Sequence, residues 1–111
     1  MSAFIPVAKI ADLPVGRMKS VVLPNGEQVL VMNVDGDICA LPDRCSHEEL
    51  ELSAGELMPD GTIECVFHGA RFDCRTGKVC GPPATLDLAT YPTRVEDGVI
   101  MVGPRREPYP G

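Results

Sequence analysis

Residues 45–68 contain the pattern that decides the fold. The segment begins Cys45-Ser46-His47, continues through seventeen further residues, and ends Cys65-Val66-Phe67-His68, followed by Gly69-Ala70-Arg71-Phe72-Asp73. The two histidines of this pattern are the only two in the chain of 111 residues. Thiolate sulfur and imidazole nitrogen both bind zinc and iron. The pattern therefore predicts a metal site, whose candidate ligands are Cys45, His47, Cys65 and His68.

The order of these ligands favours two metal ions over one. Structural zinc sites usually place two Cys close together and two His close together. Here each short segment offers one Cys and one His, which suits a dinuclear iron centre with bridging sulfides. Cys45 and Cys65 would hold one iron, and His47 and His68 would hold the other. The spacing alone leaves a zinc site as the alternative.

The composition favours a small all-β domain. At 111 residues the chain forms one domain with a modest core. It has 44% hydrophobic residues but no Trp, three Phe and two Tyr, so the core must be mainly aliphatic. Eleven Gly and eleven Pro indicate many short strands and turns rather than long helices.

Apolar runs separated by turn signals predict antiparallel strands along most of the chain. Between Asp43 and Asp60 we expect one short helical turn and no full helix. The remaining expected elements are an edge strand within 4–13 bounded by Pro6 and Pro14, a meander through 21–23, 28–34 and 38–41 that Pro42 ends, short strands at 62–64 and 70–74, and a hairpin of 93–96 with 99–102.

Charge and targeting signals restrict the partners. The formal net charge of −6 and the pI of about 4.7 exclude a nucleic-acid partner, which would need clustered basic residues. The acidity suits either simple solubility or docking on a basic protein. We expect no signal peptide, and no apolar run approaches the roughly 20 residues that span a membrane. The sequence thus predicts a cytoplasmic protein whose five cysteines are thiols or ligands.

The motif as a whole resembles the cluster-binding motif of Rieske proteins. The matching features are C-x-H, the seventeen-residue spacer and C-x-x-H-G-A-x-F-D. Thr76-Gly77, the 81–84 loop and the hairpin after Tyr91 extend the resemblance to small bacterial Rieske-type ferredoxins. The resemblance implies one Rieske 2Fe-2S cluster bound by the four candidate ligands. It also implies that His47 and His68 lie near solvent and that the 81–84 loop shields the cluster.

The resemblance further implies an all-β Rieske iron-sulfur fold. An antiparallel β-sandwich or barrel base would carry a small cluster-binding subdomain at about residues 43–84. A single domain would span residues 1–103, and residues 104–111 would form a loose C-terminal tail.

The function implied is that of a soluble one-electron carrier rather than an enzyme. It would pass electrons from an NAD(P)H-dependent flavoprotein ferredoxin reductase to a terminal oxygenase of aromatic substrates, using a docking surface near His47 and His68. A mononuclear catalytic iron is excluded, because both histidines are already assigned. The alternatives are the small Rieske-like subunit of an assimilatory nitrite reductase and a ferredoxin of iron-sulfur cluster assembly.

Three positions depart from the high-potential Rieske proteins that the family also contains. Those proteins have a disulfide where Leu50 and Phe67 stand here, and a hydroxyl donor where Ala70 stands. With fewer donors to the reduced cluster, we expect a potential near the low end of the Rieske range, roughly −150 mV. Leu50 and Phe67 would instead pack around the cluster.

Several other residues have simpler interpretations. Cys39 and Phe72 are expected in the core, and Cys74 and Cys80 as thiols, with a disulfide between them as the alternative. The acidic group of Glu48, Glu49, Glu51 and Glu56 is either a solvated face or part of a docking rim.

Overall fold

The computed structural model describes residues 4–44, 51–65, 70–80 and 87–107, and in these ranges the fold is all-β, as predicted. Single 3₁₀ turns at Ile10–Asp12 and Leu52–Ala54 are the helical elements described. The strands are β1 (Ile5–Lys9), β2 (Met18–Val22), β3 (Gln28–Val34), β4 (Asp37–Pro42), β5 (Glu56–Leu57), β6 (Thr62–Glu64), β7 (Arg71–Asp73), β8 (Thr93–Glu96) and β9 (Val99–Val102). Within the described ranges no helix is long and apolar enough to cross a membrane.

The strands form three antiparallel sheets of three strands each. The central sheet has the order β2-β3-β4, the base sheet β1-β9-β8, and the small sheet β5-β6-β7. Two strand connections are two-residue turns, Asp35-Gly36 and Asp97-Gly98, in which both residues have positive φ. Such turns match the twist of a hairpin, and the Asp-Gly sequence supplies the residues that tolerate them. The hairpins predicted at these turns are therefore confirmed.

Strand β3 contacts the base sheet through one of its faces. Val29 and Val31 are fully buried and belong to the same apolar cluster as Ile100 and Val102 of β9. Alternate residues of a strand point to opposite faces, so this set defines the side of the central sheet that covers the base. The central and base sheets thus form the predicted sandwich.

The other face of β3 contacts the small sheet. Leu30 and Met32 are fully buried in a second cluster that includes Ile63 of β6 and Phe72 of β7. A strand that is buried on both faces has apolar residues at every position and not only at alternate ones. This explains the sequence Val29-Leu30-Val31-Met32. The central sheet therefore supports the small sheet directly.

Several details of the strand predictions are wrong; β2, for example, spans Met18–Val22 instead of the expected 21–23. Pro6 does not bound the first strand but lies inside β1, where the pairing with β9 is irregular between Pro6 and Ala8. An edge strand tolerates proline because its outward N–H has no ladder partner to lose. The two-residue strand Glu56–Leu57 was not predicted, since so short an element has no periodicity to detect.

The segment after residue 103 is attached to the body of the protein. The backbones of Arg106 and Thr90 exchange two hydrogen bonds, of 2.7 and 2.9 Å. Residues 104–107 are thus held to the fold, contrary to the expectation of a loose tail, and residues 108–111 lie outside the described ranges.

Tyr91 connects strand β4 to the turn before β3. Its backbone N–H donates to the Ala40 carbonyl at 3.0 Å, and its hydroxyl donates to Glu27 Oε2 at 2.7 Å. The residue is only 4% exposed. Burial, helped by the hydrogen bond to the Glu27 carboxylate, raises the pKa of Tyr91 to about 12.

Ionisation of Tyr91 should destabilise the protein in alkaline solution. Its folded pKa is raised above the usual value near 10, so its contribution is complete below about pH 10 and is lost as pH rises through about 12. We expect Tyr91→Phe to remove a pH dependence on the order of 2 kcal/mol from urea unfolding measured between pH 9 and 12. Tyr109→Phe is the control, and an unchanged slope in Tyr91→Phe would contradict the assignment.

Candidate metal centre

Cys65 is the predicted ligand that falls within the described residues. It follows β6 directly and is 1% exposed. Its N–H donates to the Ala70 carbonyl at 2.7 Å, which closes the base of the segment 66–69. The other three, Cys45, His47 and His68, lie outside the described ranges, as do Leu50 and Phe67, so their predicted roles remain predictions.

The small sheet brings two ligand-related segments to one end. Glu64 and Arg71 are register partners on β6 and β7, on either side of the segment 66–69. The N–H of Cys80 donates to the Arg71 carbonyl at 2.7 Å, directly before the predicted shielding loop at 81–84. The described residues next to the second ligand segment (66–69) and next to that loop therefore lie side by side in the small sheet.

The chain that follows the first ligand segment, residues 45–50, reaches the same end of the small sheet. Gly55 follows the second 3₁₀ turn, and a Cβ at this position would collide with the carbonyl oxygen of Glu64. Glu56, the next residue, pairs with Glu64 in the sheet. Only glycine allows so close a backbone approach, so Gly55 fixes where the chain rejoins the small sheet after residues 45–50.

The base of the first segment is closed by the side chain of Asp43. This residue lies two positions before Cys45, and its Oδ1 accepts the Ser53 N–H at 2.7 Å. Burial alone would raise the pKa of Asp43, but hydrogen bonds from Ser20, Ser53 and Gln28 outweigh burial and lower it. Asp43 could not be identified as a site residue from the sequence, because its hydrogen-bonding partners lie 10 to 23 positions away in the chain.

The chain around the predicted shielding loop at 81–84, which we call the third segment, is closed in a similar way. Asp87 Oδ1 accepts the Val79 N–H at 2.9 Å, and the Leu88 N–H donates to the Gly77 carbonyl at 2.7 Å. Gly77 has a φ of 75°, and a Cβ there would collide with the Leu88 carbonyl oxygen. Each of the three segments thus has its two ends joined by hydrogen bonds between described residues.

A partly exposed ion pair joins the two strands that lie before and after the second ligand segment, residues 66–69. Arg71 Nε lies 3.0 Å from Glu64 Oε2, and the two side chains are 43% and 34% exposed. Such a pair contributes roughly 0–1 kcal/mol because water screens it. Its importance is geometric, since it joins the two strands at the point where the ligand segment begins and ends.

The described part of the site fits an iron-sulfur cluster. A buried thiol at a strand end, with its backbone N–H already bonded, can serve as a thiolate ligand shielded from water. Elsewhere in ranges 4–44, 51–65, 70–80 and 87–107, no three or more His, Cys, Asp or Glu side chains are grouped as a metal site.

The remaining cysteines behave as predicted. Cys39 and Cys74 are buried, Cys80 is exposed, and none of the three forms a disulfide. Burial, with a smaller effect of the neighbouring Cys39, raises the pKa of Cys74 to about 12. Burial likewise raises the pKa of Cys39.

Thiol labelling should distinguish Cys80 from Cys74. With a pKa of about 12, roughly one Cys74 in ten thousand is a thiolate at pH 8, and its burial blocks access as well. We expect iodoacetamide to modify Cys80 at least about 100-fold faster than Cys74, as measured by peptide mass spectrometry. Equal rates in the folded protein would contradict the structure, and equal rates in urea are the control.

The structure defines a small all-β protein in which the predicted ligand Cys65 lies buried at the end of a three-stranded sheet. Residues 3–92 match the family described as Rieske [2Fe-2S] domain. The chain belongs to this family, and it accordingly carries one Rieske-type 2Fe-2S cluster.

Known proteins of similar sequence are ferredoxin subunits. The chain is 40% identical over 93 residues to the 3-phenylpropionate/cinnamic acid dioxygenase ferredoxin subunit of Shigella flexneri serotype 5b (strain 8401). The alignment covers 84% of this chain and 86% of that subunit. The subunit of the same name from Escherichia coli (strain K12) is equally similar.

Solved structures of ferredoxins share the complete fold. The structure described as a complex of reduced oxygenase and oxidized ferredoxin in carbazole 1,9a-dioxygenase contains a chain that matches with a TM-score of 0.89 and 27% identity. That match covers 98% of this chain and 100% of the other. The ferredoxin of carbazole 1,9a-dioxygenase from Nocardioides aromaticivorans IC177 matches with a TM-score of 0.84 and 31% identity, over 93% and 99% of the two chains.

Proposed function

We propose that this protein is the ferredoxin component of an aromatic-ring dioxygenase system. It carries one electron at a time from an NAD(P)H-dependent flavoprotein ferredoxin reductase to a terminal oxygenase. The observation that carries the proposal is the 40% identity to a dioxygenase ferredoxin subunit over 84% of this chain. The protein is therefore an electron-transfer component and not the catalyst, and we place it in the cytoplasm with its partners.

The proposed ligand assignment rests on the spacing in the sequence together with the match to the Rieske family. Cys45 and Cys65 hold one iron, and His47 and His68 hold the other. When bound, the cluster accepts and releases one electron. The burial of Cys65 supports this division, because the Cys side would face the core. The His side would then face the partner, which puts the docking surface near His47 and His68.

A docking surface at this end suits the family comparison and the charge. In the carbazole 1,9a-dioxygenase complex, a ferredoxin of the same fold is bound to an oxygenase. Glu51 and Glu56 belong to the acidic group that the sequence leaves as either a solvated face or a docking rim, and both are exposed next to the ends of the ligand segments. Exposed charges around a contact steer association and raise the rate of encounter more than the affinity. The partner surfaces should therefore be basic, and binding should weaken with salt.

The potential should lie near the low end of the Rieske range, at roughly −150 mV. Ala70 supports this value, since it is fully buried next to Cys65 and has no hydroxyl to donate to the cluster. Voltammetry of the purified protein measures the potential directly, and a value well above zero would contradict the proposal.

The function is tested by spectroscopy and by reconstitution. The dithionite-reduced protein should give the electron paramagnetic resonance spectrum of a Rieske cluster. With NADH and the reductase and terminal oxygenase of a 3-phenylpropionate dioxygenase system, it should restore substrate turnover. A colourless sample with one zinc per chain would overturn the cluster assignment. A cluster-loaded protein that supports no turnover would overturn the assignment of partners and favour a nitrite reductase subunit or an assembly role.

A further inference from the structure

Asp43 is unusual because its carboxylate is buried. Both carboxylate oxygens accept hydrogen bonds. The residue is 4% exposed, and it is one of two buried polar residues in the described ranges, with Asn33. Its Oδ1 accepts the Ser53 N–H at 2.7 Å, and its Oδ2 accepts the Ser20 hydroxyl at 2.7 Å and the Gln28 Nε2 at 3.0 Å. A buried carboxylate costs several kcal/mol unless such donors compensate it, so this arrangement is a specific feature of the fold.

The donors to Asp43 come from two different parts of the protein. Ser20 lies on β2 and Gln28 begins β3, so both belong to the central sheet. Ser53 lies in the 3₁₀ turn after the first ligand segment. The two oxygens of one carboxylate therefore join the two ends of the segment and anchor both ends to the central sheet.

Gln28 strengthens the same connection. In addition to Asp43 Oδ2, its Nε2 lies 2.9 Å from Glu51 Oε2, on the residue that immediately follows the segment 45–50. The backbone N–H of Asp43 donates to the Gln28 carbonyl at 2.9 Å. One glutamine on the sheet thus contacts the chain both before and after the segment.

We propose that Asp43 is the positioning residue of the first ligand segment. By fixing both ends of residues 45–50 to the central sheet, its carboxylate sets where Cys45 and His47 stand relative to Cys65 and His68. The proposal rests on the ligand assignment of the proposed function. It adds a residue that acts through the segment carrying two of the predicted ligands.

The chemistry of the carboxylate explains why another residue would not serve. An Asp43→Asn side chain has one acceptor oxygen, which can bond the Ser53 N–H. Its amide nitrogen would then face the Gln28 Nε2, so two donors would meet where a donor met an acceptor. The amide N–H of the Asp43→Asn side chain that faces Gln28 Nε2 would be a donor without an acceptor at a position only 4% exposed, which costs about 1–3 kcal/mol. The segment would separate from the sheet or from Ser53 to relieve this cost.

The test uses three variants of the cluster-loaded protein. Asp43→Asn disrupts the clamp, by which we mean the hydrogen bonds of the Asp43 carboxylate that join the two ends of the segment 45–50 to each other and to the central sheet. Ser20→Ala removes one donor to Oδ2 and keeps the bond between Asp43 and Ser53. Asp60→Asn is the matched control, because Asp60 also accepts a backbone N–H, that of Thr62 at 3.1 Å, but in an exposed turn away from the ligand segments.

Two measurements separate positioning from general stability. The first is the rate of cluster loss to a chelator, followed by visible absorbance, together with the g-values of the reduced cluster, which report ligand geometry. For Asp43→Asn we expect loss about tenfold faster, by the cost of one unsatisfied donor, and altered g-values. Ser20→Ala should change less, and Asp60→Asn should match the unmodified protein. Far-UV circular dichroism checks that all variants are folded.

The second measurement does not depend on the cluster. Hydrogen–deuterium exchange of the peptide containing Ser53 should accelerate in Asp43→Asn and not in Asp60→Asn. Unchanged exchange, or g-values and cluster loss equal to those of Asp60→Asn, would overturn the clamp. An unmodified protein without any iron-sulfur spectrum would instead overturn the proposed function, and the exchange rates would still decide whether Asp43 joins the ends of the segment.

Discussion

Replacing Cys65 by Ser should abolish cluster binding. The Cys65 side chain is 1% exposed at the end of β6, where no other described cysteine is placed to substitute for it. Loss of a hydrogen-bonding partner behind a metal ligand typically lowers metal affinity by roughly 10–100-fold, so loss of the ligand itself should cost more. We expect purified Cys65→Ser protein to lack the visible absorbance and nearly all of the iron of the unmodified protein.

The matched control for this prediction is Cys80→Ser. Cys80 is exposed and forms no disulfide, so the same change of sulfur to oxygen there should leave the iron content unaltered. Iron and acid-labile sulfide per chain are the measured quantities. A Cys65→Ser protein with full iron content would refute the ligand assignment, and a loss of iron in Cys80→Ser would point to a different ligand set.

Replacing Phe72 by Ala should cause the largest loss of stability of any single core substitution. Phe72 is the largest fully buried side chain in the described ranges. It pairs with Ile63 across β6 and β7 and bridges to Val79, so it holds the small sheet to the segment that leads to the third loop. Truncating a buried Phe to Ala costs about 3–5 kcal/mol, a large part of the 5–15 kcal/mol that stabilises a typical domain.

Thermal unfolding of the cluster-loaded protein measures the effect. We expect the Tm of Phe72→Ala to fall by more than about 10 °C. Phe72→Leu, which keeps most of the volume, should cost less than about 1.5 kcal/mol and remain folded if the Ala variant does not. Val22→Ala is the control, since Val22 is 68% exposed and such surface changes stay within about 0.5 kcal/mol. A Phe72→Leu variant no more stable than Phe72→Ala would contradict the packing explanation.

The strands that could be predicted are those whose signals are local. The Asp-Gly turns at 35–36 and 97–98 fix the hairpins around them, and β3, β6 and β9 have the predicted bounds. The pairing of β1 with β9 was not predicted, because the partners Ile5 and Val102 are distant in the chain. Local patterns specify that a strand exists, but its partner depends on which apolar faces remain to be covered.

The residues of the site likewise divide into those that a local pattern predicts and those that only the fold reveals. Cys65 was named from its spacing to His68, and the structure shows it buried at the end of a strand. Gly55 and Asp43 were not named, although both determine how the first ligand segment is held. No motif marks them, since the need for a glycine or a buried carboxylate arises only when Glu64, Ser20 and Ser53 approach them.

The sequence by itself thus determined the class of fold, the family and the four candidate ligands of residues 45–68. Those properties depend on residue type and on short spacing, because donor chemistry and tight turns are decided within a few residues of the chain. Tertiary structure alone decided which sheets cover the two faces of β3 and that Asp43 joins the ends of the first ligand segment. Both follow from contacts between distant residues, which a linear pattern does not encode.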